Sequence, residues 1–135
     1  MIENIYCGEE LAAIIIRDSF DKQGIEFVTP DDFSQQMAYM HHPEGHSITP
    51  HFHNRVNRTI HYTQEVLIIK RGRVKVNFYD AECRFQKDVV IASGDIILLA
   101  SGGHGFEILE ETVMVEVKQG PYAGEQDKTR FEPKE

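Results

Sequence analysis

Cysteine is scarce in this chain, and that excludes one whole class. There are two, Cys7 and Cys83, among 135 residues. They have no CxxC spacing, and two thiols are too few for a disulfide scaffold, so free thiols in a reducing compartment are expected. Positive charge is also short: 14 basic residues face 22 acidic ones, a net charge of -8. That sign argues against nucleic acid or an anionic membrane as the main partner. Long apolar runs are missing too. The most hydrophobic stretch, residues 11–16, is far too short to span a bilayer, and the N-terminus carries Glu3, Glu9 and Glu10 in place of a basic leader. A cytoplasmic protein without a membrane span is therefore expected. The chain has no Gly-rich phosphate loop, no GxSxG elbow, no Cys/His dyad, no internal repeat and no low-complexity tract.

What is present fits one domain over residues 1–135, with 41% hydrophobic residues, enough for a single core. Residues 11–17 are strand or short helix; the period alone does not decide. Residues 25–28 read as a strand, residues 29–32 as the start of a one-turn helix, and residues 35–40 as extended again. From residue 45 onward the pattern is strands and turns. Strands are expected at 48–53, 60–70, 74–79, 84–92, 96–100, 104–109 and 112–118. A tight turn is expected at Arg71-Gly72-Arg73 and another at Glu110-Glu111. Val74, Val76 and Phe78 alternate as an inward face, as do His104, Phe106 and Ile108, while Glu107 faces out. Pro50 points to an edge or irregular position. Short strands spaced by Gly/Asp turns predict an all-β sandwich or barrel of two antiparallel sheets. The tail from Gly120 to Glu135 is polar with scattered aromatics, either packed across the barrel or free.

The chemistry-bearing residues gather in residues 45–72. His51 and His53 lie two apart on the expected strand, so both imidazoles face one way. Glu65 opens a second strand-like run, EVLIIK. A third imidazole, His104, follows an apolar strand and the glycine turn Gly102-Gly103. Three imidazoles and a carboxylate suit a borderline divalent metal: Fe, Mn, Ni, Co or Zn.

In these residues the chain resembles the cupin superfamily. Gly45-x5-His51-x-His53 with Glu65-x6-Gly72 is similar to the first cupin motif, and residues 94–108, from Gly94-Asp95 through Gly102 to His104, are similar to the second. Three departures stand: eleven residues separate His53 from Glu65 where the family has three or four, Ala100 replaces a proline, and His104 comes one residue early without the family's later asparagine. His61-x3-Glu65 keeps the short gap, so His61 is an alternative ligand. The resemblance implies a jelly-roll barrel with a metal held by His51, His53, Glu65 and His104. It implies either a metal-dependent enzyme (isomerase, lyase or dioxygenase type) or a non-catalytic metal and small-ligand module. The closing sequence VEVKQGPYAGEQDKTRF is similar to small stand-alone bacterial cupins of sugar-nucleotide and polysaccharide pathways, which implies an oxygen-rich ligand such as a sugar or oxo-acid. A third possibility is an interaction protein with a vestigial site.

Arg55 and Arg58, in the long loop after His53, are candidate clamps for an anionic ligand. No catalytic acid or base is assigned; Tyr62 alternates away from Glu65 and reads as core or interface. A homodimer is expected, because a small jelly roll leaves sheet edges open and residues 11–16 and 35–40 add apolar surface.

Overall fold

A computed structural model describes residues 1–135, and it is all-β. The strands are β1 (Ile2–Cys7), β2 (Glu10–Ile16), β3 (Gly24–Phe27), β4 (Ala38–His41), β5 (Glu65–Tyr79), β6 (Phe85–Ala92), β7 (Ile96–Leu99) and β8 (Gly103–Lys118), followed by a 3-10 helix at Gly124–Asp127. Six of them form one curled antiparallel sheet, ordered β1-β2-β7-β5-β6 with β8 on the other side of β5. β3 and β4 form a separate two-stranded sheet. No helix is long and apolar enough to cross a membrane.

β5 is the spine. Its first half pairs with β7 and its second half with β6, while β8 runs beside it for its whole length. Residues 71–73, expected as a tight turn, are instead a corner within one continuous strand. The pairing with β8 shifts register three times between Ile69 and Val74. Across that corner the buried face of β5 passes from odd positions (Leu67, Ile69) to even ones (Val74, Val76, Phe78). Gly72 makes the corner possible. Its φ is +103°, and a Cβ there would meet Thr112 Oγ1 at 2.3 Å and the Glu111 carbonyl at 2.5 Å. The turn expected at Glu110-Glu111 is likewise absorbed into unbroken β8.

The matching corner between β6 and β7 is built on Asp95, which is buried. Its carboxylate accepts from the backbone N–H of Ala92 at 2.8 Å and of Asp18 at 2.9 Å, and from Arg17 Nη1 at 3.0 Å. Arg17 also reaches Glu3 at 2.9 Å, so one ion-pair chain ties β1 and β2 to the corner.

The core lies inside the curl. Ala13, Ile15, Leu67, Ile69, Val74, Val76, Phe78, Ile91, Ile97 and Leu99 belong to one buried cluster. Each large aliphatic or aromatic member contributes on the order of 2 kcal/mol by leaving water. Residues 12–16 are all buried, so the isoleucine run expected to offer surface to a second copy is enclosed within the monomer. The residues expected to start a helix, 29–32, form a turn in which Thr29 Oγ1 bonds Gln36 Oε1 at 2.9 Å and accepts from the Met37 N–H at 3.2 Å.

The curl is open on one side. β8 pairs with β5 alone, leaving its other edge free. Phe106, Ile108, Leu109, Met114, Val115 and Val117 along it are exposed. Residues 43–62 form no strand, and every one is exposed. The strand expected at 48–53 is therefore absent, and the one expected at 60–70 begins only at Glu65. Pro50 has no N–H to donate, and no neighbouring strand is aligned with this arm.

Candidate metal and ligand site

Glu65 is the first residue of β5 and His104 the second of β8. In the ladder His104 is opposite Phe78, thirteen residues from Glu65 along β5. A flat strand of that length would hold them about 43 Å apart. The curl brings them together: His104 Nε2 lies 2.7 Å from Glu65 Oε1, and both side chains are half-buried. The Phe106 ring, 5.5 Å from the imidazole between centroids, flanks His104.

The surroundings make Glu65 an anion over the whole ordinary range. Hydrogen bonding from His104 holds its carboxyl down to about 2 against the pull of desolvation, with further help from Glu116, the His104 charge and Lys118. Glu116 responds in the opposite sense. Its carboxyl is pushed up, first by its hydrogen bond with Glu65 and then by desolvation. The two acids therefore shift apart: Glu65 keeps its charge further into acid, and Glu116 takes up its proton sooner as pH falls. Lys118 and Lys128 are the cations that act on this pair.

These groups border a cavity of about 850 Å³, within the range of small-molecule sites. Three of its seventeen lining residues are hydrophobic, so a polar occupant is favoured. Tyr79 and residues 127–133 form the remaining wall.

Among the expected ligands, the structure joins Glu65 and His104 and leaves the others apart. His51 and His53 sit together on the exposed arm, ring centroids 5.3 Å apart, with His51 Nδ1 bonded to the Thr49 carbonyl at 2.8 Å. His61 and Tyr62 line a neighbouring cavity of about 800 Å³. Tyr62 is 85% exposed and so takes no part in a core. Arg55 and Arg58 are on the exposed arm as well. No cluster of three or more His, Cys, Asp or Glu side chains is arranged to hold a metal. Glu107 faces away from the cavity, as expected, bonding Asn77 at 2.9 Å and Lys75 at 3.5 Å.

Two features go beyond the sequence reading, which left the tail either packed across the barrel or free. Glu116 follows the same alternation as Lys118, and that signal was there to use. The wall from residues 127–133 was not legible, because nothing local in the tail says where it docks. A smaller polar cluster lies on the β3–β4 sheet, where Asp21 bonds both His41 and, at 3.2 Å, the Tyr39 hydroxyl. His41 is the main cause that lowers the Asp21 carboxyl. Tyr39, expected as core or interface, thus makes a specific polar contact.

Glu65 and His104 are the two expected ligands that lie side by side, joined as a hydrogen-bonded pair 2.7 Å apart. Comparison with protein-family models, with the curated proteins and with the solved structures gave no significant match to this chain.

Proposed function

We propose that the protein binds a divalent transition metal at Glu65 and His104 and uses it to act on a small oxygen-rich molecule, a sugar or an oxo-acid. The observation that carries this reading is the Glu65–His104 contact, with its carboxylate kept ionised beside a polar cavity. His51 and His53 would complete the ligand set. The arm that holds them is suited to fold inward. Residues 45–64 contain no acid and carry Arg55, Arg58 and four histidines. The free edge of β8 carries Glu107, Glu110, Glu111 and Glu116. Ile48, Phe52, Val56 and Ile60 fall on one face of an extended arm, opposite His51 and His53. Laid along β8, the arm would cover exposed apolar side chains, pair an unpaired edge and close the curl into a jelly roll of the cupin type.

When bound, the metal supplies Lewis acidity and lowers the pKa of a coordinated water. The chain's own residues do the rest. Glu65 offers a carboxylate that needs no deprotonation at neutral pH. Glu116, its carboxyl raised above the ordinary value, lies next to the site. Lys118 and the arm's Arg55 and Arg58 attract the anionic part of a ligand. The edges of β1 and β6, each paired on one side only, also support a homodimer.

Metal analysis of the purified protein tests this reading, with His51→Ala and His104→Ala as controls. Bound metal that falls strongly in both variants is expected. Full retention in both, or no metal after reconstitution, overturns it.

A further inference from the structure

The segment after β8 does not trail into solvent. Beyond the 3-10 helix it forms one wall of the Glu65–His104 cavity, and it is held at three places. At its start, Asp127 accepts a hydrogen bond from the Thr63 hydroxyl, the residue that joins the exposed arm to β5 by way of Gln64. In its middle, the Phe131 ring packs edge-on against Tyr79, centroids 5.3 Å apart. At its end, the Lys134 N–H donates to the Cys83 carbonyl at 2.9 Å.

The Phe131 seat is specific. It lies over Gly103, where an added Cβ would come within 2.9 Å of Phe131 Cζ. The backbone of β8 therefore leaves room for this ring. Between the anchors, Lys128 and Arg130 border the cavity. Lys128 acts on Glu116 across it, and Arg130 pairs only within the tail, with Glu125 at 3.5 Å.

The holding is also shallow. The 3-10 helix has no buried residue, and Phe131 is 37% exposed. A segment with one ring contact and two hydrogen bonds is drawn from the low-stability end of a fold and opens without unfolding the rest.

From this geometry we infer that residues 127–134 are a strap that gates the cavity, with Phe131 as its latch. Open, it admits a small polar molecule to Glu65 and His104. Closed, it excludes water and presents Lys128 and Arg130 to the occupant. The inference rests on the reading of that cavity as the functional site, but its test needs no metal.

The test is the rate at which diethyl pyrocarbonate modifies His104 in metal-free full-length protein, read by peptide mass spectrometry, with His41 on the separate small sheet as internal reference. Phe131→Ala is expected to speed His104 modification several-fold with His41 unchanged. Phe131→Tyr keeps the ring and should stay near the wild-type rate. Lys134→Pro removes the terminal hydrogen bond and gives a second opening variant should Phe131→Ala fail to fold. Equal His104 rates in the wild type and the opening variants overturn the strap. So does a rise shared by His41, which marks general loosening. A protein that takes up no metal yet shows the selective rise keeps the strap and loses the metal reading.

Discussion

Glu65 and His104 touch at 2.7 Å although they begin opposite ends of one ladder. Their meeting is a closure between the two walls of the curl and not a pairing within the sheet. The Glu65 carboxylate draws most of its stabilisation as an anion from the imidazole. Replacing His104 with alanine leaves that half-buried charge with only Glu116 and Lys118. The expected loss is about 2 kcal/mol, the usual worth of a hydrogen bond to a charged group, read as a lower midpoint in urea unfolding.

The same pair sets an acid dependence. Glu65 has a folded pKa of about 2, below its ordinary 4.5. Its contribution to stability is complete above 4.5 and is lost as pH falls toward 2. Glu116 is raised, so its contribution is complete at low pH and declines as pH rises through its folded value. Between pH 2 and 4.5, stability of the wild type should therefore rise with pH more steeply than that of His104→Ala. Urea midpoints at several pH values give the two slopes, and parallel slopes would contradict the pairing.

Gly72 is expected to resist substitution. Alanine there must adopt φ near +103° and displace the Glu111 backbone as well as Thr112. A loss of at least about 2 kcal/mol is expected, measured by thermal unfolding. Alanine at Gly8, where φ is +63° and no atom lies within 4 Å, meets the strain without the clash and should lose less.

Asp95→Ala removes the acceptor for two backbone N–H groups and for Arg17 at a buried corner. Breaking a buried, hydrogen-bonded ion pair from one side costs about 3 kcal/mol or more. Equilibrium unfolding of the variant checks this value. A second readout is faster hydrogen exchange at the Asp18 and Ala92 amides.

How much of this was legible follows from where each contact is encoded. The alternation of Val74, Val76 and Phe78 is local, and it reads directly as an inward face. Glu65 and His104 were legible as candidates, because Glu65 opens an apolar run and His104 follows one across a glycine turn. The corner at residues 71–73 was read as a turn because the apolar run breaks off there, at Arg71-Gly72-Arg73. In sequence that break looks like a strand ending, and only the unbroken partner β8 shows that it does not. The arm was read as a strand from its His-x-His spacing, yet a strand needs a partner edge, and residues 43–62 have none in this structure. The strap was hidden because its seat is an absence, the missing side chain of Gly103, about thirty residues upstream.

The corner has a consequence for insertions and deletions. From Ile69 to Val74 β5 takes five steps, while β8 takes six from Ile108 to Met114. That mismatch turns the β5 inward face from odd to even and leaves the β8 face even throughout. Adding one residue on β5 at the corner restores the parity of a plain strand, six steps against six. Ile69 and Val74 then share a face with no corner between them, so β5 and β8 can run straight with both apolar faces kept. Glu65 and His104, which lie on opposite sides of the corner, are drawn apart along the straightened ladder. The site thus depends on a count of residues as much as on their identity, and a chain of altered length at the corner would keep both side chains while losing the contact between them.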